Sequence, residues 1–160
     1  MNNISIIEFI KKSPKAELHL HIEGTLEPEQ MFSLAKRNNV QIPFKNINEA
    51  KKAYNFSNLE SFLKIYYEGA KVLLKEKDFF ELTWAYALKC KEDNIIHTEI
   101  FFDPQTHTTR GISFDIVING IYKALKKAEK EFGLSFKIIM CFLRHLDEKE
   151  CFKILDQALA

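Results

Sequence analysis

Pro14-Lys15-Ala16-Glu17-Leu18-His19-Leu20-His21-Ile22-Glu23-Gly24-Thr25-Leu26-Glu27-Pro28-Glu29 is the stretch from which the fold can be read. Its core, residues 16–22 (AELHLHI), alternates strictly. Leu18, Leu20 and Ile22 fall on one side; Glu17, His19 and His21 fall on the other, which is the two-residue period of a β-strand. Gly24 then breaks the strand. Pro28 stands at a plausible first helical position, with Glu29 in the first turn and Met31, Leu34 and Ala35 as the apolar stripe of a helix that stops near Asn38-Asn39.

Working outward, a loop from about Gln41 to Phe56 leads to Ser57-Asn58-Leu59-Glu60, the pattern of a capping box between Ser57 and Glu60. Helices are expected over about Asn58–Glu68 and Asp78–Glu92. Ile95–Phe102 (IIHTEIFF) reads as a second strand, ended by Asp103-Pro104 and followed by a polar loop, Gln105–Gly111. A helix should run over Phe114–Phe132, with Ser113 as its cap and Gly133 as its stop. A third strand follows over Ser135–Leu143, and a last helix begins near Asp147. This order of strands and helices predicts an α/β fold with parallel strands joined by helical crossovers. With no repeat, low-complexity tract or linker, the whole of 1–160 reads as a single domain.

Composition narrows the function classes. The chain has 23 Lys+Arg against 22 Asp+Glu, a formal net charge of +1, so it carries no electrostatic footprint for nucleic acid or an anionic membrane. Its apolar runs fall well short of the roughly 20 residues that cross a bilayer. Residues 1–14 carry Glu8 and Lys11-Lys12 and do not read as a signal peptide. Cys90, Cys141 and Cys151 are odd in number and form no CxxC pair, which points away from a disulfide framework and toward a reducing, cytoplasmic setting. Oligomeric state is not readable from these features.

His19 and His21 carry the chemistry. At i and i+2 on a strand their imidazoles share a face and can chelate one metal ion. Glu17 and Glu23 are expected on that face as well. The residues alone leave two readings open: an edge or antiparallel strand with its histidines in water, or a polar stripe inside a parallel barrel, where it would be functional.

The full string 14–29 resembles the start of the adenosine/adenine deaminase family, metal-dependent (β/α)8-barrel hydrolases of the amidohydrolase superfamily. Residues 59–66 (LESFLKIY) are similar to the family's helix that gates the substrate pocket, and Cys141-Phe142-Leu143-Arg144-His145 to the end of its third strand. Glu23, together with residues 101–111 (FFDPQTHTTRG), is similar to the adenine deaminase branch. The resemblance implies the first three βα units of a TIM barrel with an inserted helical gating segment. It implies His19 and His21 as ligands of one Zn2+, and Glu23, Gly24, Leu59, Phe62, Leu63 and Tyr66 as substrate-contacting residues. It also implies hydrolysis of a 6-aminopurine, a small-molecule partner: adenine to hypoxanthine and ammonia first, adenosine to inosine next.

The family's remaining parts, a third His, an Asp-Asp pair and the Glu of HxGE, have no match among His97, His107 and His145 or elsewhere in the 160 residues. An eight-unit barrel takes about 250 residues. The chain is therefore expected to be the N-terminal portion of a deaminase, and to be inactive when isolated. A non-catalytic or partner-dependent module, and another HxH amidohydrolase, stand as alternatives. His97, Arg144 and His145 are assigned to structure, Arg144 as partner of a carboxylate; His107 is assigned to a loop-stabilising hydrogen bond. The cysteines, Tyr66-Tyr67 and Trp84 are read as packing residues, which for Tyr66 stands beside its place in the gating helix.

Overall fold

Strands β1 (Lys15–His21), β2 (Ile95–Phe102) and β3 (Ser135–Met140) form one parallel sheet in the order β1-β2-β3. The structure is a computed structural model and describes residues 5–159; Met1–Ile4 and Ala160 lie outside the described residues. Among the described residues, eight helices accompany the strands: α1 (Ile6–Lys12), α2 (Pro28–Asn38), α3 (Ile47–Ala53), α4 (Leu59–Ala70), α5 (Glu76–Glu92), α6 (Pro104–Thr108), α7 (Phe114–Phe132) and α8 (Glu148–Leu159). A single 3-10 turn, Ile22–Thr25, follows β1. The antiparallel reading of β1 is excluded, although β1 does form one edge of this three-stranded sheet.

The core lies between the sheet and the α2, α5 and α7 layer. Ile100 and Phe102 of β2 pack on Phe79, Leu82, Val117, Ile121 and Leu125 from α5 and α7. Those two helices approach so closely that Gly120 is required. A Cβ there would stand 2.5 Å from the Glu76 carbonyl oxygen and 2.7 Å from the Phe79 Cβ. The caps of α7 are as expected: the Ser113 hydroxyl accepts from the Ile116 N–H, and Gly133 closes the helix in the left-handed region at φ 74°.

The structure corrects several expectations. The strict alternation of β1 does not survive pairing, because one extra residue is accommodated between Glu17, opposite Thr98, and Leu20, opposite Ile100. The bulge turns Glu17 to the helix side, where its carboxylate accepts from the Tyr86 hydroxyl at 2.6 Å, away from the histidines. It also leaves Leu18 57% exposed. The region 41–56, expected as loop, contains α3, capped by Asn46. The capping box of α4 belongs to Asn58 and Ser61, one residue later than expected, with Asn58 Oδ1 accepting from Ser61 N at 2.9 Å. The loop after β2 contains α6. Strand β3 stops at Met140, since the Leu143 N–H is taken by the Gln105 side chain at 2.8 Å.

One buried carboxylate joins α2 to α5. Asp78 accepts from the backbone N–H groups of Leu74 and Lys75, from Asn38 Nδ2 and from the Arg37 guanidinium. Burial alone pushes its pKa up, but these donors outweigh that effect and hold it below the usual carboxylate value. Asp78 therefore contributes stability above its unfolded-state value of about 4 and loses it as pH falls through its lower folded value. Asp78→Asn should reduce urea stability at pH 7 by about 2 kcal/mol and flatten the decline in stability below about pH 4, measured by denaturation across pH.

Candidate functional site

The C-terminal ends of parallel strands are where α/β proteins collect function, and His21 is the last residue of β1. Beyond the bulge, His19 and His21 do share a face. Both rings lie against Phe101 of β2, at centroid distances of 4.4 and 5.4 Å, and stand 5.9 Å from each other. Two imidazoles bound to one tetrahedral zinc at about 2.0–2.1 Å place their centroids roughly 5 Å apart. The pair is thus within a small side-chain adjustment of sharing one ion.

Beneath the histidines is a buried polar group that the sequence reading did not assemble. The Glu23 side chain is fully buried, and its Oε1 accepts from the Asp103 N–H at 3.0 Å and from His107 Nε2 at 3.1 Å. Arg110 donates to His107 Nδ1 at 2.8 Å. Guanidinium only donates, so Nδ1 carries the lone pair and Nε2 carries the proton that Glu23 accepts; His107 is the neutral Nε2–H tautomer. Arg110 Nη2 shares its two protons among His107 and the carbonyls of Ala70 and Leu73, and Nη1 donates to the Lys71 carbonyl, at and just beyond the end of α4. Desolvation raises the Glu23 pKa, yet the hydrogen bonds from His107 and the Asp103 backbone prevail and keep it below the ordinary glutamate value.

Tyr66 and Asp103 complete the group. The Tyr66 hydroxyl lies 2.6 Å from Asp103 Oδ2 and 3.2 Å from Glu23 Oε2. Burial, reinforced by the Glu23 and Asp103 charges, drives the Tyr66 pKa far up, so the hydroxyl keeps its single proton and gives it to the nearer oxygen. Asp103 Oδ2 also meets His21 Nδ1 at 3.3 Å. Asp103 reads in the sequence as a strand breaker within the run 101–111, with no role of its own. Its position as an acidic residue at the C-terminal end of a strand was the available signal. Tyr66 was visible as one position of an apolar helical stripe; that a buried tyrosine needs a partner for its hydroxyl pointed further.

The expected substrate-contacting residues divide. Glu23, Gly24, Phe62 and Tyr66 line one cavity with Leu26, Tyr54, Phe56, Ile65 and Gly69, but it holds only about 20 Å³, far less than a purine. Leu59 and Leu63 lie outside it, on a shallow recess with Glu60, Lys64 and Tyr67, and Leu59 is 70% exposed. His97 bonds to Ser135 and Glu99 at the opposite end of the sheet. Arg144 and His145 are exposed, and Arg144 pairs with no carboxylate among the described residues.

Cys141, read as a packing residue, instead stands half-buried beside the site. One donor atom each from His21, Asp103 and Cys141 lies within 4.8 Å of the others. Burial first, and then the Asp103 and Glu23 charges, push the Cys141 thiol up. Asp103 is already engaged by Tyr66 and His21. Two groupings could hold a metal: the imidazole pair His19 and His21, and the donor atoms of His21, Asp103 and Cys141.

These residues can be set beside known proteins. Residues 14–160 match the family model described as adenosine deaminase. Adenine deaminases of Wolinella succinogenes and Psychrobacter cryohalolentis are 65% and 61% identical over 95% and 96% of the chain, which covers 46% of each. The chain thus spans about half the length of the curated relatives it matches. The crystal structure of adenine deaminase from Arthrobacter aurescens superposes with a TM-score of 0.88 at 44% identity, over 91% of this chain and 45% of that one. A zinc-bound amidohydrolase from Burkholderia ambifaria shares the fold at a TM-score of 0.81 and 22% identity, over 96% of this chain and 43% of its own. The three strands and their helices correspond to the first βα units of the amidohydrolase TIM barrel, with the barrel not closed among the described residues. Matched from Pro14 onward through the strand-end histidines and the helices that follow, the chain belongs to the adenosine deaminase family.

Proposed function

We propose that this chain is the N-terminal portion, a single domain, of a zinc-dependent cytoplasmic purine deaminase that converts adenine and water to hypoxanthine and ammonia. The observation that carries the reading is the imidazole pair His19 and His21, mounted on Phe101 at the end of β1 over a buried hydrogen-bonded base. The relatives named adenine deaminase favour adenine over adenosine as the substrate. No helix among the described residues is long and apolar enough to cross a membrane, and the three cysteines form no disulfide.

Zinc, when bound, makes water a nucleophile at neutral pH by lowering its pKa from about 15.7 to about 7. The chain's own contribution is to hold the metal and shape its surroundings. His19 and His21 supply two neutral nitrogen ligands from a paired strand. Phe101 fixes their rings and keeps water from beneath them. Helix α4 covers the adjoining side through Phe62 and Tyr66, while Leu59 and Leu63 present apolar surface at its free end. Gly24 is exposed where the chain leaves β1, and a Cβ there would make only ordinary contact with Tyr66, at 3.8 Å. Glu23 Oε1 is taken by the Asp103 N–H and His107 Nε2, which leaves Oε2, beside the Tyr66 hydroxyl at the wall of the α4 cavity, as the oxygen it offers to substrate. The remaining ligands and the proton-transfer acid come from later strands.

Supplied with the downstream half of an adenine deaminase, the chain should release ammonia faster from adenine than from adenosine. His19→Ala or His21→Ala should weaken zinc binding more than about tenfold and abolish turnover, read by metal analysis and ammonia assay. Faster release from adenosine contradicts the substrate assignment; zinc binding unchanged in both variants contradicts the metal assignment. Glu23→Asp should cost about 1–3 kcal/mol of stability in urea denaturation, since the shorter side chain cannot reach both Asp103 N–H and His107.

A further inference from the structure

Asp103 touches both the candidate metal ligand and the helix that covers the site. Its Oδ2 lies 3.3 Å from His21 Nδ1 and 2.6 Å from the Tyr66 hydroxyl, and its backbone N–H is held by Glu23 at 3.0 Å. We propose that Asp103 is a positioning residue for His21: it accepts the Nδ1 proton, fixes the Nδ1–H tautomer and so presents the Nε2 lone pair to the metal, while Tyr66 clasps α4 to the same carboxylate. This rests on the reading of His21 as a metal ligand.

The chemistry requires such a partner. A neutral imidazole has two tautomers of similar energy, and only one leaves Nε2 free; an acceptor at Nδ1 selects it and raises the basicity of the ligand nitrogen. Asp103 is the carboxylate placed to do so. Glu23 is occupied by the Asp103 N–H and His107, and Glu17 is turned to Tyr86 on the helix side of the sheet. The Tyr66 hydroxyl meets the same Asp103 oxygen from the α4 side. Asp103 is itself rigid: it follows β2 directly, its backbone is anchored from β1 through Glu23, and its side chain is held from α4. The orientation of His21 and the seating of α4 thereby depend on one oxygen atom. Undocking the helix would remove the tyrosine hydrogen bond and loosen the carboxylate that orients the ligand.

Two readouts on the full 160-residue chain test this: histidine tautomers by long-range 1H–15N correlation without metal, and zinc affinity by competition with a weak chelator. The wild type should show His21 as the Nδ1–H tautomer. Asp103→Asn, which keeps a carbonyl acceptor and the shape, should retain that tautomer with a smaller loss of affinity. Asp103→Leu should lose the tautomer preference and bind zinc about 10–100-fold more weakly. Tyr66→Phe should leave the tautomer in place, weaken zinc binding by less than Asp103→Leu and speed amide exchange in α4. An unchanged His21 tautomer in folded Asp103→Leu would overturn the proposal, and so would a loss of affinity as large in Asp103→Asn, which marks a direct carboxylate ligand. His21→Ala separates the underlying reading: affinity equal to the wild type shows that His21 is not a ligand, whatever the tautomer result.

Discussion

A carboxylate buried without donors costs several kcal/mol, and Glu23 avoids that cost by drawing three other parts of the chain onto itself. It leaves the end of β1, accepts the Asp103 backbone from the end of β2 and the His107 imidazole from α6, and stands beside the Tyr66 hydroxyl of α4. Arg110 extends the group from His107 to the carbonyls that end α4. The paired strand ends and the covering helix are thus fixed by one charge.

This arrangement separates two tasks that neighbouring residues of one strand appear in sequence to share. Glu17, His19, His21 and Glu23 are all polar at every second position, and strict alternation puts them on one face. The bulge between Glu17 and Leu20 sends Glu17 to Tyr86 and Thr98 in the helix layer, and the 3-10 turn after His21 takes Glu23 into the interior. Only the two histidines stay together. Their common support, Phe101, comes from the neighbouring strand, so the pair depends on parallel pairing as much as on its own spacing.

What could be read from sequence follows physical range. Local signals held: Pro28 opens α2, Ser113 and Gly133 bound α7, and the β-branched and aromatic run Ile95–Phe102 is a strand end to end. The string around His19 and His21 was enough to find the family. Features that depend on partners distant in sequence were not legible. Register decided the bulge, while Asp103 and Tyr66 gain their meaning only when β2 and α4 arrive beside β1. Helix α3 was a different case, since Asn46 followed by Glu49 was a local start signal hidden by the short length of the helix.

In the proposed enzyme the two imidazoles of β1 form the metal-binding half of the site, supported by hydrogen-bonded carboxylates that are not themselves ligands. Zinc K-edge X-ray absorption on the chain loaded with one equivalent of zinc tests it most directly. Two imidazoles in the nitrogen shell at about 2.0–2.1 Å and no sulfur are expected. A sulfur shell near 2.3 Å, which would place the ion on Cys141, or a spectrum with fewer than two imidazoles, would contradict it.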